Sequence, residues 1–154
     1  MPTLHPTAQR VAERLAAAGL DVTVVEHEES SRTAAEAAAT AGCELGQIVK
    51  SLVFVDDSGP VLVLCAGDRR VDAAALGLRR AKPDVVREAT GFAIGGVPPL
   101  GHPAPMRTFV DASLQRFATV WCAAGTPNAI FEVPTTALIA ALPAGEVREV
   151  AEPQ

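Results

Sequence analysis

Gln47-Ile48-Val49-Lys50-Ser51-Leu52-Val53-Phe54-Val55 and Pro60-Val61-Leu62-Val63-Leu64-Cys65-Ala66 flank the tetrapeptide Asp56-Asp57-Ser58-Gly59. Two apolar runs rich in β-branched residues, joined by an Asp/Ser/Gly turn, read as an antiparallel β-hairpin. Period-2 alternation puts Ile48, Lys50, Leu52 and Phe54 on one face of the first strand and Val49, Val53 and Val55 on the other. Neither face is designed for water, so this hairpin is expected in the interior.

Upstream, Thr7 to Ala18 places Val11, Leu15 and Ala18 on one helical face, and Gly19 follows as a stop. Asp21 to Glu26 reads as a strand and Glu28 to Arg32 as a polar loop. Thr33-Ala34-Ala35-Glu36 has capping-box form and opens an alanine-rich helix to Gly42. Downstream, Val71 to Leu76 reads as a short helix. Pro83-Asp84 opens another that Gly91 ends. Gly91 to Pro105 is a loop dense in Gly and Pro. Arg107 to Asp111, Phe117 to Cys122 and Ala129 to Val133 read as strands, with a turn at Gly125-Thr126-Pro127-Asn128, and Thr135 to Leu142 reads as a final helix. From about Pro143 the Glu-rich remainder, 143–154, is expected to fray. Strands and helices mix without strict βαβ alternation. The expected class is α+β: one domain over 1–154, with a mixed, mostly antiparallel sheet curled into a partial barrel with flanking helices.

Composition narrows the function. The 154 residues are 49% hydrophobic and 20% charged, the balance of a soluble globular domain. No membrane-length apolar run and no leader-like N-terminus is present, which predicts a cytoplasmic protein without membrane contact. Cys43, Cys65 and Cys122 lack C-x-x-C spacing, so they read as small buried hydrophobes. A net charge of -5 offers no global attraction to nucleic acid. Between Arg69 and Arg87, however, six basic residues face only Asp72 and Asp84, a local balance of +4. Arg69, Arg70, Arg79 and Arg80 are candidates for a phosphate backbone, or else form an ordinary solvated face.

Lysine occurs twice, at Lys50 and Lys82, against eleven arginines. Lys82 reads as a surface charge. Lys50, inside an apolar strand, must pair, snorkel, or point into a cleft that receives an anion or a polarised oxygen. The second feature is Gly91-Phe92-Ala93-Ile94-Gly95-Gly96-Val97-Pro98-Pro99-Leu100-Gly101-His102. Its adjacent glycines can aim bare N–H groups at a carbonyl oxygen while Pro98 and Pro99 stiffen the chain beyond them; alternatively it is a tight connection without a ligand. It matches no Walker or dinucleotide fingerprint. His5, His27 and His102 lack metal-ligand spacing, and no G-x-S-x-G elbow is present, so neither a metal nor a cofactor is called for. Catalysis, if any, falls to positioning and backbone electrostatics.

Four segments in order, Ser31 to Ala38, Ile48 to Phe54, Thr90 to Pro99 and Trp121 to Ala129, resemble the YbaK/EbsC family of aminoacyl-tRNA deacylases, relatives of the editing domain of bacterial prolyl-tRNA synthetases. The resemblance covers roughly residues 25 to 142. It implies a trans-editing hydrolase acting on mischarged tRNA, commonly tRNA for proline, with a prolyl-tRNA synthetase as a partner. The family lysine falls on Lys50 and the family glycine-proline loop on Gly95, Gly96 and Pro98. By analogy Lys50 holds the terminal phosphate or carbonyl side, and the Gly95 and Gly96 amides steady the oxyanion. Thr33, Asp111, Gly125 and Thr126 fall on motif positions that line the family pocket, whereas relatives often carry His where this chain has Asn128. A small pocket excludes a larger side chain better than it rejects a smaller one, so alanine, cysteine, serine and 2-aminobutyrate are the candidate acyl groups. The alternatives are a non-catalytic aminoacyl- or synthetase-binding module, or a hydrolase of a non-tRNA aminoacyl ester.

Overall fold

A computed structural model describes residues 4–28 and 33–153. Most of the polar loop before Thr33, and the Ser31-Arg32 opening of the first motif, lie outside the described residues. In chain order the elements are α1 (Pro6–Ala17), β1 (Val24–Glu26), α2 (Ala34–Ala41), β2 (Val49–Asp56), β3 (Gly59–Ala66), β4 (Arg79–Arg80), α3 (Pro83–Thr90), β5 (Arg107–Asp111), β6 (Thr119–Ala123), β7 (Ala129–Pro134), α4 (Thr135–Ala141) and β8 (Gly145–Arg148). Two 3-10 turns, Leu45–Gln47 and Ala112–Arg116, join α2 to β2 and β5 to β6.

The hairpin forms the centre as expected. β2 and β3 pair antiparallel from Val49 opposite Ala66 to Asp56 opposite Gly59. The turn closes with the Asp56 carboxylate accepting the Ser58 N–H at 2.8 Å. They sit inside a five-stranded sheet of order β4-β2-β3-β5-β8, in which β5 is parallel to β3 and β8 parallel to β5. A second, antiparallel sheet has order β1-β7-β6. A single parallel bridge from Ile48 to Trp121 links the two sheets, which do not close into a barrel. The class is therefore mixed α+β.

β3 is buried on both faces. Leu62, Leu64 and Ala66 enter the main core with Val11 and Leu15 of α1, Phe131 of β7 and Leu138 of α4. Val61, Val63 and Cys65 enter a smaller cluster with Phe54, Leu78 and Val150. Burying a Val or Leu side chain contributes roughly 1.5–3 kcal/mol, so each alternate row holds one layer on the sheet.

Two expectations are corrected. Residues 71–76 form successive turns instead of a helix: the Asp72 carboxylate accepts the Ala75 N–H at 3.1 Å, the Leu78 N–H returns to the Ala73 carbonyl at 2.9 Å, and Gly77 takes φ +68°. The Glu-rich remainder does not fray within the described residues. Gly145–Arg148 pairs with β5, Val150 is buried, and Ala151 bridges to Val71. Backbone pairing and one anchoring valine outweigh the polar side chains of β8, all of which are exposed.

Candidate active site

The site begins with the uneven edges of β2. The Gly67 N–H donates to the Ile48 carbonyl at 2.7 Å, which sets the phase of the ladder. Even-numbered residues of β2 therefore bond to β3, and odd-numbered residues turn their amides and carbonyls to the opposite edge. That edge is covered by β4 at Phe54 and Val55 and by Trp121 at Ile48. Between these covers a cavity of about 450 Å³ opens, in the range of small-ligand sites. Its wall includes Thr33, Lys50, Ser51, Arg80, Ile94 and Gly95, with Val53, Val86 and Val97 as apolar lining.

Lys50 lines this cavity, and its Nζ donates to the Arg69 carbonyl. Opposite Lys50 on β3 stands Cys65, whose thiol burial pushes up to about 12. A thiol so perturbed is no nucleophile. Burial likewise raises Cys122 and Cys43.

Of the paired glycines, only one keeps an available amide. Gly95, at φ +93°, is exposed, lines the cavity, and its N–H has no acceptor among the described residues. The Gly96 N–H is spent on the Ala93 carbonyl at 3.0 Å, contrary to the expectation of two oxyanion donors. Gly96 is needed for a different reason: a Cβ there would lie 2.6 Å from the Gly125 carbonyl oxygen. The Gly125 N–H in turn donates to the Gly96 carbonyl at 2.8 Å. Gly125 and Thr126 thus support the loop from behind; neither is part of the cavity wall. Pro98 is also buried behind the wall, its carbonyl bonded to His102 Nε2 at 2.8 Å. Arg14 of α1 donates to the Gly101 carbonyl at 2.7 Å and pins the loop's far end.

Thr33 is in the wall and also caps α2, its hydroxyl accepting the Glu36 N–H at 3.1 Å. Asp111 does not reach the cavity. It is fully buried, and its carboxylate accepts the Ala66 N–H at 3.0 Å and the Ser113 N–H at 2.9 Å, joining the end of β3 to the following 3-10 turn. Asn128 donates to the His27 carbonyl at 3.1 Å, stapling the end of β1 to the turn before β7.

The four arginines separate. Arg69 is mostly buried and bound to Glu149 at 3.1 Å and to the Glu152 carbonyl at 3.4 Å, so it holds the C-terminal segment and is not free for a phosphate. Arg79 pairs with exposed Asp57 at 3.4 Å. Arg70 is exposed, and Arg80 is exposed and in the cavity wall. Among the described residues, no three His, Cys, Asp or Glu side chains converge as a metal-ligand set, and no Asp or Glu lines the cavity.

Ser51 escaped the reading of the strand. It stands on the face of Val49 and Val53, its Oγ is buried without a partner, and its outward amide and carbonyl meet no strand among the described residues. A lone hydroxyl in an apolar run was the available signal.

The model of the aminoacyl-tRNA editing domain matches residues 28–141. The chain belongs to the aminoacyl-tRNA editing domain family. A candidate trans-editing enzyme for prolyl tRNA synthetase, known from its crystal structure, superposes with a TM-score of 0.91 at 45% identity, covering 98% of this chain and all of that one. An uncharacterized protein of Bacillus subtilis, YwhH, is 38% identical over 117 residues, 71% of this chain and 74% of the relative. A proline--tRNA ligase of Nitratidesulfovibrio vulgaris is 33% identical over 92 residues, 55% of this chain but only 16% of the ligase. No helix of the described residues is long and apolar enough to cross a membrane.

Proposed function

We propose that this editing domain is a trans-acting deacylase of the cytoplasm that cleaves the ester between a small, wrongly attached amino acid and the 3′ end of tRNA, with tRNA for proline as the carrier. The observation that carries the reading is that Lys50 and Gly95, with its available amide, line one cavity. Water, polarised by the neighbouring ribose hydroxyl, adds to the ester carbonyl; the carbon–oxygen bond to the ribose breaks, and the ribose oxygen leaves with the proton that the water gives up. Gly95 N–H donates to the oxygen on which negative charge develops, a contribution of roughly 3 kcal/mol for one well-placed donor. The Lys50 ammonium, fixed by the Arg69 carbonyl, draws the terminal phosphate or the ester oxygen toward that amide. Val53, Val86 and Val97 bound the space left for the acyl side chain, and Arg80 at the mouth meets the phosphate backbone. The likeness to one segment of a proline--tRNA ligase supports a prolyl-tRNA synthetase as the partner that hands over the substrate.

The test is release of labelled amino acid from tRNA(Pro) charged with proline, alanine, cysteine, serine or 2-aminobutyrate, by wild type and Lys50→Ala. Rapid hydrolysis of one or two small species is expected, with a loss of at least a hundredfold in folded Lys50→Ala. No hydrolysis of any species by wild type, with tRNA still bound, moves the site to another tRNA; with no binding it leaves a non-catalytic module.

A further inference from the structure

We propose that Ser51 is the point at which this site recognises the α-ammonium group of the aminoacyl ester; the inference rests on the deacylase reading above and deepens it. Three polar groups of the cavity wall are donors only: the Lys50 ammonium, the Gly95 amide and the Arg80 guanidinium. These suit phosphate and carbonyl oxygens. An aminoacyl ester also brings a cation of its own, an amino group with a pKa near 8 and donors only. Among the described residues the wall holds no Asp or Glu, and the acceptors it offers that group are neutral. Burying it without them costs several kilocalories per mole.

Ser51 supplies two. Its carbonyl is turned to the open edge of β2, beyond the reach of β4 and of Trp121. Its Oγ is buried, on the same side as Val53, and has no partner among the described residues. An unpaired buried hydroxyl lowers stability, so its presence in a strand of Ile, Leu, Val and Phe calls for an external partner.

The experiment compares alanyl-tRNA with the propionyl ester of the same tRNA, which lacks only the amine, each rate divided by its own uncatalysed rate. Wild type is expected to accelerate the alanyl ester at least tenfold more than the propionyl ester, and Ser51→Ala to lose about tenfold of that preference, the loss expected for one hydrogen bond to a charged group. The melting temperature of Ser51→Ala should equal or exceed that of wild type, since the change removes an unsatisfied group. Equal acceleration of both esters by wild type overturns the assignment without reference to any variant. An undiminished preference in Ser51→Ala also overturns it. Failure of wild type to cleave either ester refutes the deacylase reading itself, a result distinct from both.

Discussion

The two edges of β2 do opposite work. Along β3 all eight residues of β2 are in register, and the side chains of β3 are buried on both faces of the sheet. Along the other edge β4 covers two residues, Trp121 bridges one, and the gap between them becomes the cavity. One edge spends its hydrogen bonds on pairing, while the other leaves them open to the cavity. The lesson is that Lys50 and Ser51, adjacent in the chain, belong to a strand whose rigidity comes from one neighbour and whose chemistry comes from the lack of another.

Breaking the paired edge should have the largest effect on folding and the least on chemistry. Leu64→Ala, opposite Ser51 and fully buried, should lower unfolding free energy by about 2–5 kcal/mol in a urea titration, with kcat of the folded fraction within about twofold of wild type. A large fall in kcat at constant folded fraction would join the two edges functionally. The loop facing the open edge should respond in a graded way. Gly96→Ala drives a Cβ into the Gly125 backbone and should cost about 1–3 kcal/mol along with activity. Gly95→Ala meets no atom within 4 Å and strains only its positive φ, so it should cost less stability while still impairing turnover. The reverse ranking in melting temperature would contradict the assigned roles.

The cover of the open edge should matter for nucleic acid alone. Arg80→Ala should weaken tRNA binding and reduce the slope of log affinity against log salt by about 1, whereas Arg69→Ala should leave the slope and lower the melting temperature. The smallest effect is a pH dependence. Burial holds the His102 imidazole below its ordinary pKa, against the opposing bond to the Pro98 carbonyl. The unfolded chain therefore takes up the proton first, so stability is full above about pH 6.5 and declines as pH falls below it. His102→Gln should flatten the fall in melting temperature between about pH 7 and 5.5.

Much of this was legible in the sequence wherever side chains decide structure. Alternating Val and Leu announced the central hairpin, and Pro83 and Gly91 bounded α3 within a residue. β8 was not legible, because its four exposed residues are held by backbone pairing to β5, a partner that no local pattern names. In the site, Lys50 stood out because an ammonium is rare among apolar neighbours. Gly96 was recognisable as necessary, but the reason, contact with Gly125, depends on a segment nearly thirty residues away. Asp111 was expected to line the pocket, and its burial as a cap for two backbone amides could emerge only from the fold. Ser51 was hidden by the same apolar run that made the strand easy to see.

The route from Lys50 through the Arg69 carbonyl to Glu149 and Glu152 also fixes an order of events during synthesis. Lys50 is translated about a hundred residues before the carboxylate that steadies its support. The hairpin can pair before residues 149–152 are made, yet the Arg69 side chain gains Glu149 and the Glu152 carbonyl only afterwards, so the residue whose carbonyl seats the Lys50 ammonium is settled last.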